Sequence, residues 1–124
     1  MDRGLNLFLT LPWDYARQRS DHDPAALGDP ARWWFHDDDY WRTLLDQMAR
    51  SRLNWLDLHG TWDIEVTDAP NLYAYFIHSD SYPEVGVSKE LKHKNLERLR
   101  QVIRMAHDRG VRVSLMAYEA RLRT

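Results

Sequence analysis

Asp57 and His59 stand at alternate positions among leucines in LNWLDLHGTW (residues 53–62), and Asp63 follows Trp62 just beyond it. A carboxylate can accept hydrogen bonds from hydroxyls or carry a proton, and an imidazole can donate to a hydroxyl or to a neighbouring carboxylate. An indole adds a flat apolar face with a polar N–H, which suits the C–H face of a sugar ring. Such groups could line a carbohydrate site, and packing in core and loops is the commoner fate of any single aromatic. His59 has the best claim to a substrate contact, and a structural histidine satisfied by Asp57 or a backbone carbonyl is the equal alternative. Asp14, Asp63 and Glu119 fall near the ends of apolar runs. Cleaving a glycosidic bond takes two carboxylates, about 5 to 5.5 Å apart for retention or about 6.5 to 9.5 Å for inversion. Position in the chain fixes neither distance, and a solvated loop carboxylate or a helix cap is the commoner fate of each. His59, Asp57, Asp63 and His78 also offer nitrogen and oxygen donors. Their spacing matches no motif with a mechanism behind it, so neither a metal nor a cofactor is expected. The sequence holds no glycine-rich phosphate loop, nucleophile elbow or HExxH helix.

The elements that must position these residues alternate in type. RGLNLFLTLP (residues 3–12) reads as a strand ended by proline, and SDHDPAALGDPARWW (residues 20–34) as a loop. DDDYWRTLLDQMARSR carries Trp41, Leu44, Leu45, Met48 and Ala49 at helical spacing, with Asp37, Asp38 and Asp39 placed to cap its start. Leu53 to His59 is the second strand. A long aromatic stretch follows over residues 60–87, and connections of that length in compact domains are often functional. Its Trp62, Tyr73, Tyr75 and Phe76 could wall a sugar-stacking surface. Ser88 then caps a helix with apolar Leu96, Leu99, Val102, Ile103 and Ala106, and Gly110 closes it. VRVSLMAYEA (residues 111–120) is the third strand.

Strand, helix, strand, helix, strand implies a parallel sheet. Side chains alternate across a strand, so each strand divides into two faces. One face is aliphatic: Leu5, Leu7, Leu9 and Leu11, then Leu56 and Leu58, then Val111, Val113, Leu115 and Ala117. The other carries Asn6, Phe8 and Thr10, then Trp55, Asp57 and His59, then Arg112, Ser114, Met116 and Tyr118. Burying an ionised Asp without partners costs several kcal/mol, so the second face must be hydrogen-bonded or wet. A barrel interior opening at the C-terminal strand ends meets that demand. The fold class expected is therefore α/β, a partial TIM (β/α)8 barrel with parallel strands, and residues 1–124 read as the N-terminal portion of one such domain in a longer chain. His93 and His107 fall on the outer face of their helix.

RGLNLFLTL, MARSRLNWLDLHGTWD and LERLRQVIRMAHDRGVRVSLMAYEA together resemble the opening of the (β/α)8 catalytic domain in β-N-acetylhexosaminidase-like glycoside hydrolases and related α-glucuronidase-type barrels. In those barrels an Arg-Gly pair opens the first strand. An LN-x-L-x-L-H strand comes second, and a helix ending in RG-[IV]-x-V leads to the third. The resemblance implies glycoside hydrolysis of a carbohydrate substrate, with His59, Asp57, Trp62, Asp63 and Tyr118 as substrate-binding residues. The family continues its first strand into a substrate-binding Arg; this chain reads Leu11-Pro12-Trp13-Asp14 there, with Arg17 as a displaced substitute. Of the family's H-L-x-D-D run, His59-Gly60-Thr61-Trp62-Asp63 keeps the His and one Asp. The family's Asp-Glu catalytic pair follows its fourth strand, so the resemblance puts the general acid beyond residue 124, and residues 1–124 alone would be inactive. The remainder of the barrel is then an expected partner in the full-length chain.

Composition narrows the alternatives. A net charge of -2 over 124 residues, with both signs interspersed, leaves no electrostatic footprint for nucleic acid or an anionic membrane. No cysteine is present, which excludes disulfides and thiolate metal sites. No apolar run approaches the roughly 20 residues that span a bilayer. Other readings of the same residues are a sugar isomerase or metal-dependent hydrolase on the same barrel, and a non-catalytic carbohydrate-binding α/β module.

Overall fold

Five of the elements in a computed structural model match this alternation: β1 (Gly4–Phe8), α1 (Asp38–Arg50), β2 (Trp55–His59), α2 (Lys89–His107) and β3 (Arg112–Met116). A short 3-10 turn, Trp34–His36, precedes α1. The structure describes residues 1–8, 34–59, 76–84 and 87–116, with Phe8, His59 and Met116 described as backbone. The three strands lie parallel in the order β1-β2-β3 in one open sheet. This is the arrangement of a partial β/α barrel. Among the described residues no helix is long and apolar enough to cross a membrane.

Local sequence explains where each helix starts. Asp37 caps α1, its carboxylate accepting from the amides of Asp39 (2.9 Å) and Tyr40 (3.1 Å), which satisfies donors that have no partner inside the helix. The Ser88 hydroxyl does the same for Leu91 N–H at 3.3 Å on α2. The helix ends differ. Gly110 stops α2 at φ +70°, a conformation in which a Cβ is strained. Arg52 follows α1 at φ 56°, so α1 ends through a left-handed residue with no glycine to mark it. Nothing lies within 4 Å of a Cβ built on Gly110, so a side chain there meets backbone strain and no clash. Gly110→Ala is expected to lower the stability of the protein by about 1 kcal/mol, read as a shift of the urea midpoint at unchanged slope; an unchanged midpoint would remove Gly110 from the stop signal.

The aliphatic sheet face takes both helices. Leu56, Leu58 and Val111 are buried, with Leu5, Leu7 and Val113 packed beside them. Against them lie Trp41, Leu45 and Met48 of α1 and Leu99, Val102 and Ala106 of α2. Each such side chain contributes roughly 1.5 to 3 kcal/mol when fully removed from water. Leu115 belongs to the same face by alternation yet is 50% exposed, on a strand that is at the sheet edge among the described residues.

One carbonyl organises the aromatic end of the core. Phe35 O accepts from Trp41 Nε1 at 2.7 Å and from Arg98 Nε at 3.1 Å, which ties the 3-10 turn to both helices. The Phe35 ring meets Trp41 and Phe76 edge-on at centroid distances of 5.8 and 5.6 Å. Phe76 is 5% exposed. It serves the core, which corrects its placement in a sugar-stacking wall: the long connection after β2 sends this ring inward to the helix seam.

Candidate functional site on the polar sheet face

The register puts Asn6, Asp57 and Ser114 side by side across the sheet, and Phe8, His59 and Met116 at the next level toward the C-terminal strand ends. In a parallel β/α sheet those ends border the ligand-binding mouth. His59 is the last residue of β2. Asp57 sits two residues below it on the same face, half-buried, while Asn6 is exposed.

Trp55, Asp57 and Ser114 form a closed set of hydrogen bonds. Trp55 Nε1 donates to Asp57 Oδ1 at 2.9 Å and to Ser114 Oγ at 2.8 Å. The Ser114 hydroxyl donates to the same carboxylate oxygen. The Arg112 guanidinium stacks 4.9 Å from the Trp55 ring and pairs with Asp2 at 2.5 Å. That pairing is the main reason the Asp2 carboxyl lies below its usual range. Asn54 completes the base, donating to Asp2 at 3.1 Å and accepting from Arg3 N–H at 2.9 Å. These contacts explain how a strand carries an aspartate among leucines: one oxygen is held by two protein donors bridging β2 and β3.

A second polar group lies between the helices. Lys92, Asn95 and Arg98 are 1%, 0% and 8% exposed. They flank the residues that begin the buried stripe of α2, and Lys92 and Asn95 continue the spacing of Leu99, Val102 and Ala106 toward the helix start. That continuation was readable in the sequence as polar residues on an apolar stripe. Arg98 also pairs with Asp38, which holds the Asp38 carboxyl below its ordinary value.

His36 lies 2.8 Å from Asn95, ring Nε2 to Oδ1. Burial pushes the His36 pKa below its ordinary 6.5, against the opposing hydrogen bond to Asn95. The fold therefore holds the neutral ring more firmly than the unfolded chain does. Stability from this group is complete above about pH 6.5 and is lost as pH falls through that value toward the depressed folded pKa, because the unfolded state then binds the extra proton. Urea midpoints measured from about pH 7.5 down to about pH 5.5 are expected to fall in the native protein and to fall less in His36→Gln. Equal slopes in the two proteins would assign the acid sensitivity elsewhere.

Of the residues expected at the site, Asp57 is placed among Trp55 and Ser114, and His59 is placed by its backbone at the end of β2. Trp62, Asp63, Tyr118 and Arg17 lie outside the described residues, as do Asp14, Thr10, Tyr73, Tyr75 and Glu119. His78 has a side chain 18% exposed, with Nε2 3.1 Å from Asp80. Among the described residues no three His, Asp or Glu side chains converge as metal ligands. His93 and His107 are exposed.

Comparison with known proteins agrees with this geometry. Residues 25–115 match glycosyl hydrolase family 20, catalytic domain. No curated protein matches the chain. Among solved structures, a GH138 enzyme targeting pectin rhamnogalacturonan II is similar at TM-score 0.61 and 25% identity, over 93% of this chain. The chain spans 12% of the length of that enzyme. The family match covers well over half of the 124 residues, and on that match the chain belongs to glycosyl hydrolase family 20.

Proposed function

We propose that residues 1–124 form the N-terminal portion of one (β/α)8 catalytic domain of a glycoside hydrolase, supplying part of the rim that binds the carbohydrate while the catalytic carboxylates stand beyond residue 124. The observation that carries this reading is the polar face at the C-terminal ends of a parallel sheet. There His59 ends β2 directly above the hydrogen-bonded Trp55–Asp57–Ser114 set. In this role His59 donates to a sugar hydroxyl, and Trp62, Asp63, Tyr118 and Arg17 join it from the surrounding segments. The carboxylate set below His59 fixes its strand and keeps the face hydrated and polar. A substrate ring then meets hydrogen-bonding groups on one side and aromatic surface on the other. The target of the GH138 enzyme makes pectin rhamnogalacturonan II the first substrate to try.

Sequencing the coding DNA downstream of Thr124 tests the reading most directly. An open frame that adds βα units and places a carboxylate pair after the next strand is expected. Its product should release reducing sugar from a glycan, and His59→Ala should raise KM more than it lowers kcat. A stop codon directly after Thr124 would overturn the proposal.

A further inference from the structure

The seam between α1 and α2 is bridged at two places. Arg98 of α2 reaches Asp38 near the start of α1. Arg109, just past α2, pairs with Asp46 at 2.6 Å and also donates to Met105 O at 2.9 Å. An open hollow of about 380 Å³ lies along this seam, lined by Asp38 and Arg98 of the first bridge and by Arg109 of the second. The bridging arginines have their charges met, Arg98 further by the Gln101 amide oxygen at 3.1 Å.

Two more guanidiniums line the hollow and are not used in this way. Arg42 comes only within 4.0 Å of Asp38, whose other oxygen is taken by Arg98. Among the described residues Arg104 has no ion pair. Asp108 is the one further carboxylate lining the hollow, so positive charge is in excess there. Met105 adds an apolar residue to the lining. A guanidinium presents a planar fork of donors that matches a carboxylate, and the pair is stronger where apolar surface keeps water from one side. The hollow thus joins a cationic pair to an apolar patch, which is the combination that fits a sugar ring bearing a carboxylate.

We propose that this seam is a glycan-binding subsite, separate from the polar sheet face, in which Arg42 and Arg104 hold the carboxylate of a uronic acid residue over Met105. The proposal rests on the carbohydrate reading given above and extends it to an acidic polymer. A chain held at the seam would be retained near the enzyme between cleavage events, because linking two contacts converts the second into an intramolecular one.

The test uses the protein as its gene encodes it. Oligogalacturonate, its neutral methyl ester and inorganic phosphate are each titrated while the arginine side-chain Nε–H resonances are followed by NMR. Oligogalacturonate is expected to shift Arg42 and Arg104, the ester is not, and binding should weaken as salt rises. The Arg42→Ala/Arg104→Ala double variant should bind at least about tenfold more weakly, having lost both charge-assisted contacts. Both residues lie outside the buried core and outside the bridges, so the variant should unfold at the native urea midpoint. Phosphate shifting the two arginines while oligogalacturonate does not would overturn the uronate assignment. Oligogalacturonate binding that the double variant leaves intact would overturn the site. Hydrolysis of uncharged glycosides separates this from the reading it rests on. Loss of hydrolysis in the native protein with the seam still binding sinks the hydrolase and spares the subsite, and the reverse result sinks the subsite alone.

Discussion

Trp41→Ala is expected to destabilise the protein by about 3 to 5 kcal/mol, a large part of the ~5 to 15 kcal/mol that holds a typical domain folded. Trp41 is 0% exposed. Its ring lies 5.8 Å from Phe35, 5.5 Å from Tyr40 and 5.7 Å from Trp34. Removing the indole leaves a cavity where the 3-10 turn meets both helices, and rings held edge-on from several sides cannot collapse into it without leaving their rotamers. Trp41→Phe separates packing from hydrogen bonding. It keeps most of the ring and loses the N–H donated to Phe35 O, but Arg98 Nε still donates to that carbonyl. The carbonyl is therefore not orphaned, and the phenylalanine variant should lose only about 1 kcal/mol beyond its missing volume. Urea unfolding gives the comparison, with Thr43→Ala on the exposed side of α1 as the reference expected within about 0.5 kcal/mol of native. An alanine variant within about 1 kcal/mol of native would show that the seam repacks and that this cluster is not the anchor of α1.

Periodicity made the architecture readable because the helices and strands each hide one face. Leu45 and Met48, Leu56 and Leu58, and Val102 and Ala106 all fall where alternation or helical spacing put them. The caps were readable too, since Asp37 and Ser88 precede apolar-periodic runs and their side chains reach the first free amides. The end of α1 was not, because Arg52 takes the left-handed conformation that sequence assigns by default to glycine. Likewise the burial of Lys92 and Asn95 shows in the sequence only as polar residues on the spacing of the apolar stripe of α2. Charge argues for exposure unless partners are known, and the Asn95 and Arg98 partners come from a turn some 60 residues away. The site was legible in part: alternation alone put Asp57 and Ser114 on one face. What it could not supply was the indole of Trp55 as the donor joining them, because that contact depends on how the ring leans along β2.

That contact sets the expected behaviour of Asp57. Its Oδ1 accepts from Trp55 and Ser114, so Asp57→Asn, which keeps an oxygen at that position, should change stability by less than about 1 kcal/mol. Asp57→Leu removes the acceptor. The two donors still have each other, since Trp55 Nε1 lies 2.8 Å from Ser114 Oγ. Only the Ser114 hydroxyl proton then needs a new partner on a half-buried face, and the cost should be about 1 to 3 kcal/mol, short of that of a fully buried orphan. A direct substrate role predicts a different pattern. If the Asp57 charge were used on the carbohydrate, the asparagine variant would stay stable and still lose binding, with KM rising and the midpoint unmoved. If Asp57 works by holding Trp55 and Ser114 beneath His59, asparagine should preserve both binding and stability, and leucine should lose both together. The geometry favours the second pattern, because the carboxylate oxygen seen bonded is already committed to β2 and β3. A stable asparagine variant that fails to bind glycan would return Asp57 to the substrate.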